Sequence, residues 1–261
     1  MLPADDDDDD GVTIYCAEQQ KMVLFLYIPG PPDLPARASG GRTYFMSTTL
    51  PLVPSTLTPP PKRTMVFIDG ANLFNSVKRR FEYAQNNCHI IKLARAVVAM
   101  ESDRVLVGTR YYIGVPDVAH DARMAGWWNK KLSHAGRTGV TIFRRALKQR
   151  DLSIEVSGLV AQKATFSKLI EKGIDLRLGL DLVNFTLAKA FDVAIIFSQD
   201  SDISEAVEDA KRLANSQRRT IEIESAFPVD GISTQHGIHR TVYRTFDKTL
   251  YDQCLDTANY Y

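Results

Sequence analysis

The chain has 261 residues, 44% of them hydrophobic and 24% charged, with a formal net charge of +1. That apolar fraction excludes wholesale disorder, and no run of about 18 uncharged apolar residues offers a transmembrane helix. The averages conceal a split: ten of the 12 prolines precede residue 65, residues 1–64 carry a net of −3, and residues 65–261 a net of +4.

Residues 1–64 open with six consecutive aspartates, Asp5 to Asp10, a block that repels itself and stays solvated. One apolar run, Met22 to Ile28, is followed by Pro29-Gly30-Pro31-Pro32 and later by Pro59-Pro60-Pro61. Prolines at this density remove backbone donors and break helix or ladder. The acidic start lacks the basic opening of a signal peptide. The segment is expected to be a disordered leader. Met65, where the first strand is expected to begin, is a candidate natural initiator, in which case the leader is not translated; an autoinhibitory or interaction tail is the competing reading. Residues 65–261 are expected to form one domain with a C-terminal extension.

Beyond residue 64, short apolar runs alternate with amphipathic stretches. Met65 to Ile68 predicts a strand buried on both faces that stops at Asp69-Gly70. Asn72 to Phe81 predicts a helix with Leu73, Val77 and Phe81 on one face. Ile91 to Met100 predicts a second helix, Arg104 to Val115 a strand, Ala119 to Ala135 a helix, and Val140 to Phe143 the start of a strand. Asp175 to Ala190 predicts a helix whose core face carries Leu176, Leu180, Val183 and Leu187. Val193 to Phe197 is the clearest buried strand and stops at Ser198-Gln199-Asp200. Ile203 to Ala214 predicts a helix and Thr220 to Glu224 a strand. Such alternation implies an α/β fold, a mainly parallel central sheet sandwiched between helices. In such sheets ligands bind beyond the carboxyl ends of the strands, at the switch point, which directs attention to Asp69 and Asp200. Cys16, Cys88 and Cys254 are too few and too scattered for a disulfide framework or zinc site, and free thiols suit a reducing cytoplasm.

Three acidic clusters occupy strand ends or helix starts: Asp69-Gly70-Ala71-Asn72, Lys172-Gly173-Ile174-Asp175 with Asp181 six residues on, and Ser198-Gln199-Asp200-Ser201-Asp202. Singly, each reads as a turn or a helix cap. Together in one cleft, the carboxylates would repel, and a bound Mg²⁺ or Mn²⁺ would relieve the repulsion. Asn72 would orient a carboxylate or water, and Ser198 or Ser201 would hydrogen-bond a ligand oxygen.

The runs VFIDGANLF (Val66 to Phe74), KGIDLRLGLDL (Lys172 to Leu182) and FDVAIIFSQDSDISEAVEDAK (Phe191 to Lys211) resemble the NYN domain, in order and over roughly residues 65–226. That family belongs to the PIN-like nucleases, and its LabA-like bacterial branch is the nearest in pattern. The resemblance implies a Rossmann-like, PIN-like three-layer sandwich and metal-dependent cleavage of RNA, as an endonuclease. Its catalytic positions fall on Asp69, Asn72, Asp175, Asp200 and Asp202, with Asp69, Asp175 and Asp200 implied as metal ligands and Asp181 as a less regular acidic position. Family members carry Gly where this chain has Gln199; a side chain there is expected to narrow the cleft, or to change the turn if the Gly needs positive φ. Residues 228–245, with His236 and His239, fall outside the pattern.

Single-stranded RNA needs cations around an acidic centre. Arg144, Arg145, Lys148, Arg150 and Lys163 are the candidate contacts, as against a merely solvated charged face. In Trp127-Trp128 at most one ring is central to a core; the other packs at its edge or stacks on a base. Two alternatives to the nuclease stay open: a non-catalytic RNA-binding module, and a phosphatase, which would want a second Asp where the chain has Ala71. No membrane partner is expected, and a homo-oligomer stays open.

Overall fold

The computed structural model describes residues 59–85, 87–156, 162–232 and 236–260, with backbone only for 151–156 and 162–167. The leader, its acidic block, Met22 to Ile28 and Cys16 lie outside the described residues.

Strand β1 (Lys62–Asp69) leads directly into helix α1 (Gly70–Phe81), followed by α2 (Ile90–Val98), β2 (Arg104–Val115), α3 (Ala122–Arg137) and β3 (Val140–Ala146). After a two-stranded ribbon, β4 (Lys148–Val156) and β5 (Gln162–Ile170), come α4 (Ile174–Leu187), β6 (Val193–Phe197), a 3₁₀ turn (Ser201–Ile203) and α5 (Ser204–Ser216). Strands β7 (Glu222–Pro228) and β8 (Val242–Phe246) and helix α6 (Lys248–Gln253) complete the chain. The six-stranded sheet runs β3-β2-β1-β6-β7-β8, every neighbouring pair parallel. This is the α/β sandwich that the alternation of elements implies, more uniformly parallel than expected.

The period-2 alternation of β1 divides the core. Val66 and Ile68 face one layer with Leu73, Val77, Leu93, Val97 and Ile195. Met65 and Phe67 face the other with Leu178, Leu182, Ile196 and Val207. Central strands buried on both faces explain why the sequence carries unbroken apolar runs there.

Three expectations need correction. First, β1 begins at Lys62, not Met65. Lys62 pairs with Glu222 at 2.6 Å, and Arg63 grips Asp192 through backbone and guanidinium, so the start of the strand gives no ground for an initiator at Met65. Second, the chain between β3 and α4 forms an antiparallel β4–β5 ribbon; Leu152, Ile154 and Val156 alternate with Ser153 and Glu155, a strand signal that the sequence reading leaves unused. Third, the α4 stripe of Leu176, Leu180 and Leu187 is exposed, at 64%, 51% and 59%. The core face is Ile174, Leu178 and Leu182. The helix carries leucines on both sides, so periodicity alone could not choose between them.

Trp128 packs against the first core layer, while Trp127 meets Tyr260 edge-on at 5.8 Å, with buried Lys131 over its ring. The pair serves packing and anchors the chain terminus. No helix among the described residues is long and apolar enough to cross a membrane.

The two faces of α4 give a direct check. Leu182→Ala, at a fully buried site, should cost about 2–5 kcal/mol of unfolding free energy. Leu180→Gln should change it by less than about 0.5 kcal/mol. Urea denaturation of the two variants distinguishes the buried face from the exposed one.

Candidate active site

Strands β1 and β6 lie side by side and hand the chain to opposite halves of the sheet, which makes the space beyond them the switch point. Ile68 is opposite Phe197, so Asp69 and Ser198 leave the sheet together.

Asp69 is 6% exposed and caps α1, one carboxylate oxygen accepting from the Asn72 amide at 3.0 Å. The Ser198 hydroxyl donates to its other oxygen at 3.4 Å and accepts from the Asp200 amide at 3.1 Å. Asp200 caps the 3₁₀ turn, accepting from the Asp202 amide at 3.0 Å. The Asn72 side-chain carbonyl accepts from the Gln199 amide at 3.1 Å, closing a web that locks the two strand ends to each other. Asp175 comes from elsewhere, the first turn of α4, where a negative charge suits the helix dipole. The turn before it is made at Gly173, whose φ of 74° lies in the left-handed region that favours glycine.

Asp69, Asn72, Asn75, Glu171, Asp175 and Asp200 line one open cleft of about 270 Å³. Burial, aided by the charge of Asp200, pushes the Asp69 carboxyl up to about 6 against the lowering effect of the Asn72 amide. Glu171 is pushed up to about 7, first by burial and then by the charges of Asp69 and Asp175, with the Gly114 amide opposing.

The structure therefore brings Asp69, Asn72, Asp175 and Asp200 together and adds Glu171, which sequence reasoning passed over. The only signal was its place directly before Lys172-Gly173. Other candidates go elsewhere. Ser198, expected on a ligand, is 1% exposed and serves as the strut between Asp69 and Asp200. Asp202 and Ser201 are exposed and do not line the cleft. Asp181 is 2% exposed and ion-paired with Arg110 at 2.8 Å and Arg177 at 2.9 Å, with the Tyr112 hydroxyl donating to it at 2.8 Å. Arg144 donates to Asn129, and Arg145 reaches the Lys172 carbonyl at 3.4 Å, beside the cleft but not in it. Lys148 is exposed, and the side chain of Lys163 lies outside those described.

Gln199 does not narrow the cleft, and its φ is not in the left-handed region. Its side-chain carbonyl accepts from Ser76 on α1 at 3.1 Å, and its amide donates to the His236 carbonyl at 3.0 Å. The residue that departs from the family pattern clasps the segment before β8 to the wall of the site.

The model of the NYN domain matches residues 63–217. The chain belongs to the NYN family. NYN domains are members of the PIN-like nuclease superfamily, so the function of this one is nuclease-like and RNA-related. A solved structure of a protein of unknown function from Vibrio parahaemolyticus is similar at 15% identity and a TM-score of 0.42, over 72% of this chain and 94% of that one. No curated protein matches.

The donors of this NYN cleft are carboxylate and amide oxygens, the set that suits a hard cation. Among the described residues, no three His, Cys, Asp or Glu side chains are grouped so as to hold an ion by themselves. The donors therefore fit a hydrated Mg²⁺ or Mn²⁺ on one or two carboxylates, with the others reaching it through water. They do not fit a closed three-carboxylate cage.

Folding raises the Asp69 pKa above its ordinary 3.8, so the group's contribution to stability is full below pH 3.8 and is lost as pH rises through about 6. In cation-free buffer Asp69→Asn keeps an acceptor for the Asn72 amide but carries no charge. Its stability relative to wild type should rise between pH 4 and pH 7 by up to about 3 kcal/mol. Denaturant melts at both pH values check this; a difference that does not vary with pH would refute it.

Proposed function

We infer that the protein hydrolyses phosphodiester bonds of single-stranded RNA, as an endonuclease dependent on Mg²⁺ or Mn²⁺. The observation that carries this reading is the meeting of Asp69, Asp175 and Asp200 in one open cleft at the switch point of a NYN domain. Among the described residues these three carboxylates form no ion pair like those of Asp181 with Arg110 and Arg177, and a divalent cation with a polyanionic substrate would complement them.

Asp69 and Asp200, fixed by the shared Ser198 strut, would hold the cation, and Asp175 at the start of α4 would reach it through water. A bound cation supplies two things here, a more acidic water and neutralisation of the charge that develops on the phosphoryl oxygens. Asn72 keeps the Asp200 loop in register through the Gln199 amide, and exposed Asn75 offers an amide to a phosphate or ribose. Arg144, Arg145 and Lys148 stand at the carboxyl end of β3 and the start of the ribbon, where they would take the RNA backbone as it leaves the cleft. Lys163, in β5 of the ribbon, is a further candidate for the RNA backbone, Ser201 after β6 for a ligand oxygen, and Asp202 for an outer role through Asp200. The free thiols of Cys88 and Cys254 support a reducing cytoplasm as the place of action.

A second reading is favoured by one observation, the lack of a closed ligand set among the described residues. On it, the domain binds RNA without cutting. Purified protein incubated with single-stranded RNA and Mn²⁺ separates the two. The nuclease reading expects cleavage that falls by at least about 100-fold (roughly 2.7 kcal/mol of transition-state stabilisation) in Asp69→Asn and Asp200→Asn. Equal cleavage by all three proteins sinks the assigned site, and binding without cleavage favours the second reading.

The basic edge has its own test. Replacing Arg144, Arg145 and Lys148 together by Ala should weaken RNA binding and lower the slope of log affinity against log salt by about 2, since each single-strand phosphate contact contributes about 0.7. Filter binding across a salt series measures it; an unchanged slope returns these residues to the solvated surface.

A further inference from the structure

Glu171 is the cleft carboxylate that no motif accounts for, and the fold goes to some length to hold it. It stands between Ile170, the last residue of β5, and the Lys172-Gly173 turn into α4. The Gly114 amide, at the carboxyl end of β2, donates to its Oε2 at 2.5 Å. A Cβ on Gly114 would stand 2.6 Å from that oxygen and 2.5 Å from the Leu147 Cδ2, so a side chain there would push the carboxylate or the leucine aside. No Lys, Arg or His pairs with Glu171 among the described side chains, and Oε1 makes no hydrogen bond among them. A half-buried carboxylate held beside Asp69 and Asp175 with no cation of its own is destabilising unless something charged enters the cleft.

We propose that Glu171 is a positioning residue for the divalent cation of this cleft: the Gly114 amide fixes one oxygen, and the other takes hydrogen bonds from the cation's bound water. The proposal rests on the reading of the cleft as a cation-dependent nuclease site. Glu171 thereby ties the third strand end of the sheet, that of β2, into a site otherwise built from β1, β6 and α4. It also gives the ribbon that ends at Ile170 a fixed point beside the chemistry.

The test measures Mn²⁺ binding to the purified full chain by the electron paramagnetic resonance of free Mn²⁺, with no substrate present. Glu171→Gln keeps an oxygen for the Gly114 amide and removes the charge. It should melt at or above the wild-type temperature without cation and bind Mn²⁺ about 10–100-fold more weakly. Gly114→Ala leaves every charge in place but displaces the carboxylate, and it should weaken Mn²⁺ binding in the same direction. Wild-type affinity in Glu171→Gln, alongside loss in Asp69→Asn, overturns the role of Glu171 and leaves the cleft reading standing. Wild-type affinity in Gly114→Ala overturns the fixing of Glu171 by Gly114. Wild-type protein that binds no Mn²⁺, or an Asp69→Asn variant that binds it unchanged, overturns both readings together.

Discussion

The parallel pairing of β1 with β6 is the constraint on which the rest depends. Opposing Ile68 to Phe197 fixes where both strands stop, and so sets Asp69 and Asp200 next to each other without a long-range contact between their side chains. Hydrogen bonds then refine what the register has already placed, through Ser198 below and Asn72 above. The apolar contacts that hold the pairing, Val66 and Ile68 on one face and Met65 and Phe67 on the other, are the contacts that hold the core. A defect in packing and a defect in the site would be hard to separate in this fold, because one register serves both.

Two aspartates of the same domain show how environment divides labour. Asp181 and Asp69 are about equally shielded, but Asp181 meets two guanidiniums and a phenol, a fully paired buried charge whose role is structural. Asp69 meets the backbone amides of Asn72 and Ala71 and a hydroxyl but, among the described residues, no cationic side chain, which leaves its charge uncompensated. Burial without a counter-ion is costly for stability, and folds tolerate that cost chiefly where the charge has work to do.

Much of this was legible in the sequence, for physical reasons that differ by element. Central strands declare themselves because burial on both faces demands unbroken apolar runs, as in Val193 to Phe197. Strand-end aspartates declare themselves because the run stops at them. The core face of α4 did not, since Leu176 and Leu178 compete as anchors and only the sheet decides between them. The β4–β5 ribbon did not, since its alternation is short, Leu152 to Val156, and is preceded by the charged run Lys148 to Asp151. Asp181 and Asp202 matched a pattern by spacing, but spacing says nothing about which way a side chain turns. Glu171 was invisible because its partner, Gly114, is distant in the chain and contributes only a backbone amide.

Gln199 has a consequence for how such a domain changes over time. In a protein with glycine at that place, the loop after β6, helix α1 and the segment before β8 would be free to vary separately. Here one side chain joins Ser76 and the His236 carbonyl, both far away in sequence. Gln199→Gly would remove both hydrogen bonds at once, leaving the Ser76 hydroxyl to the Arg79 guanidinium and the exposed His236 carbonyl to water. The three positions are thereby coupled: a change at Gln199 is felt in α1 and in the segment before β8 together.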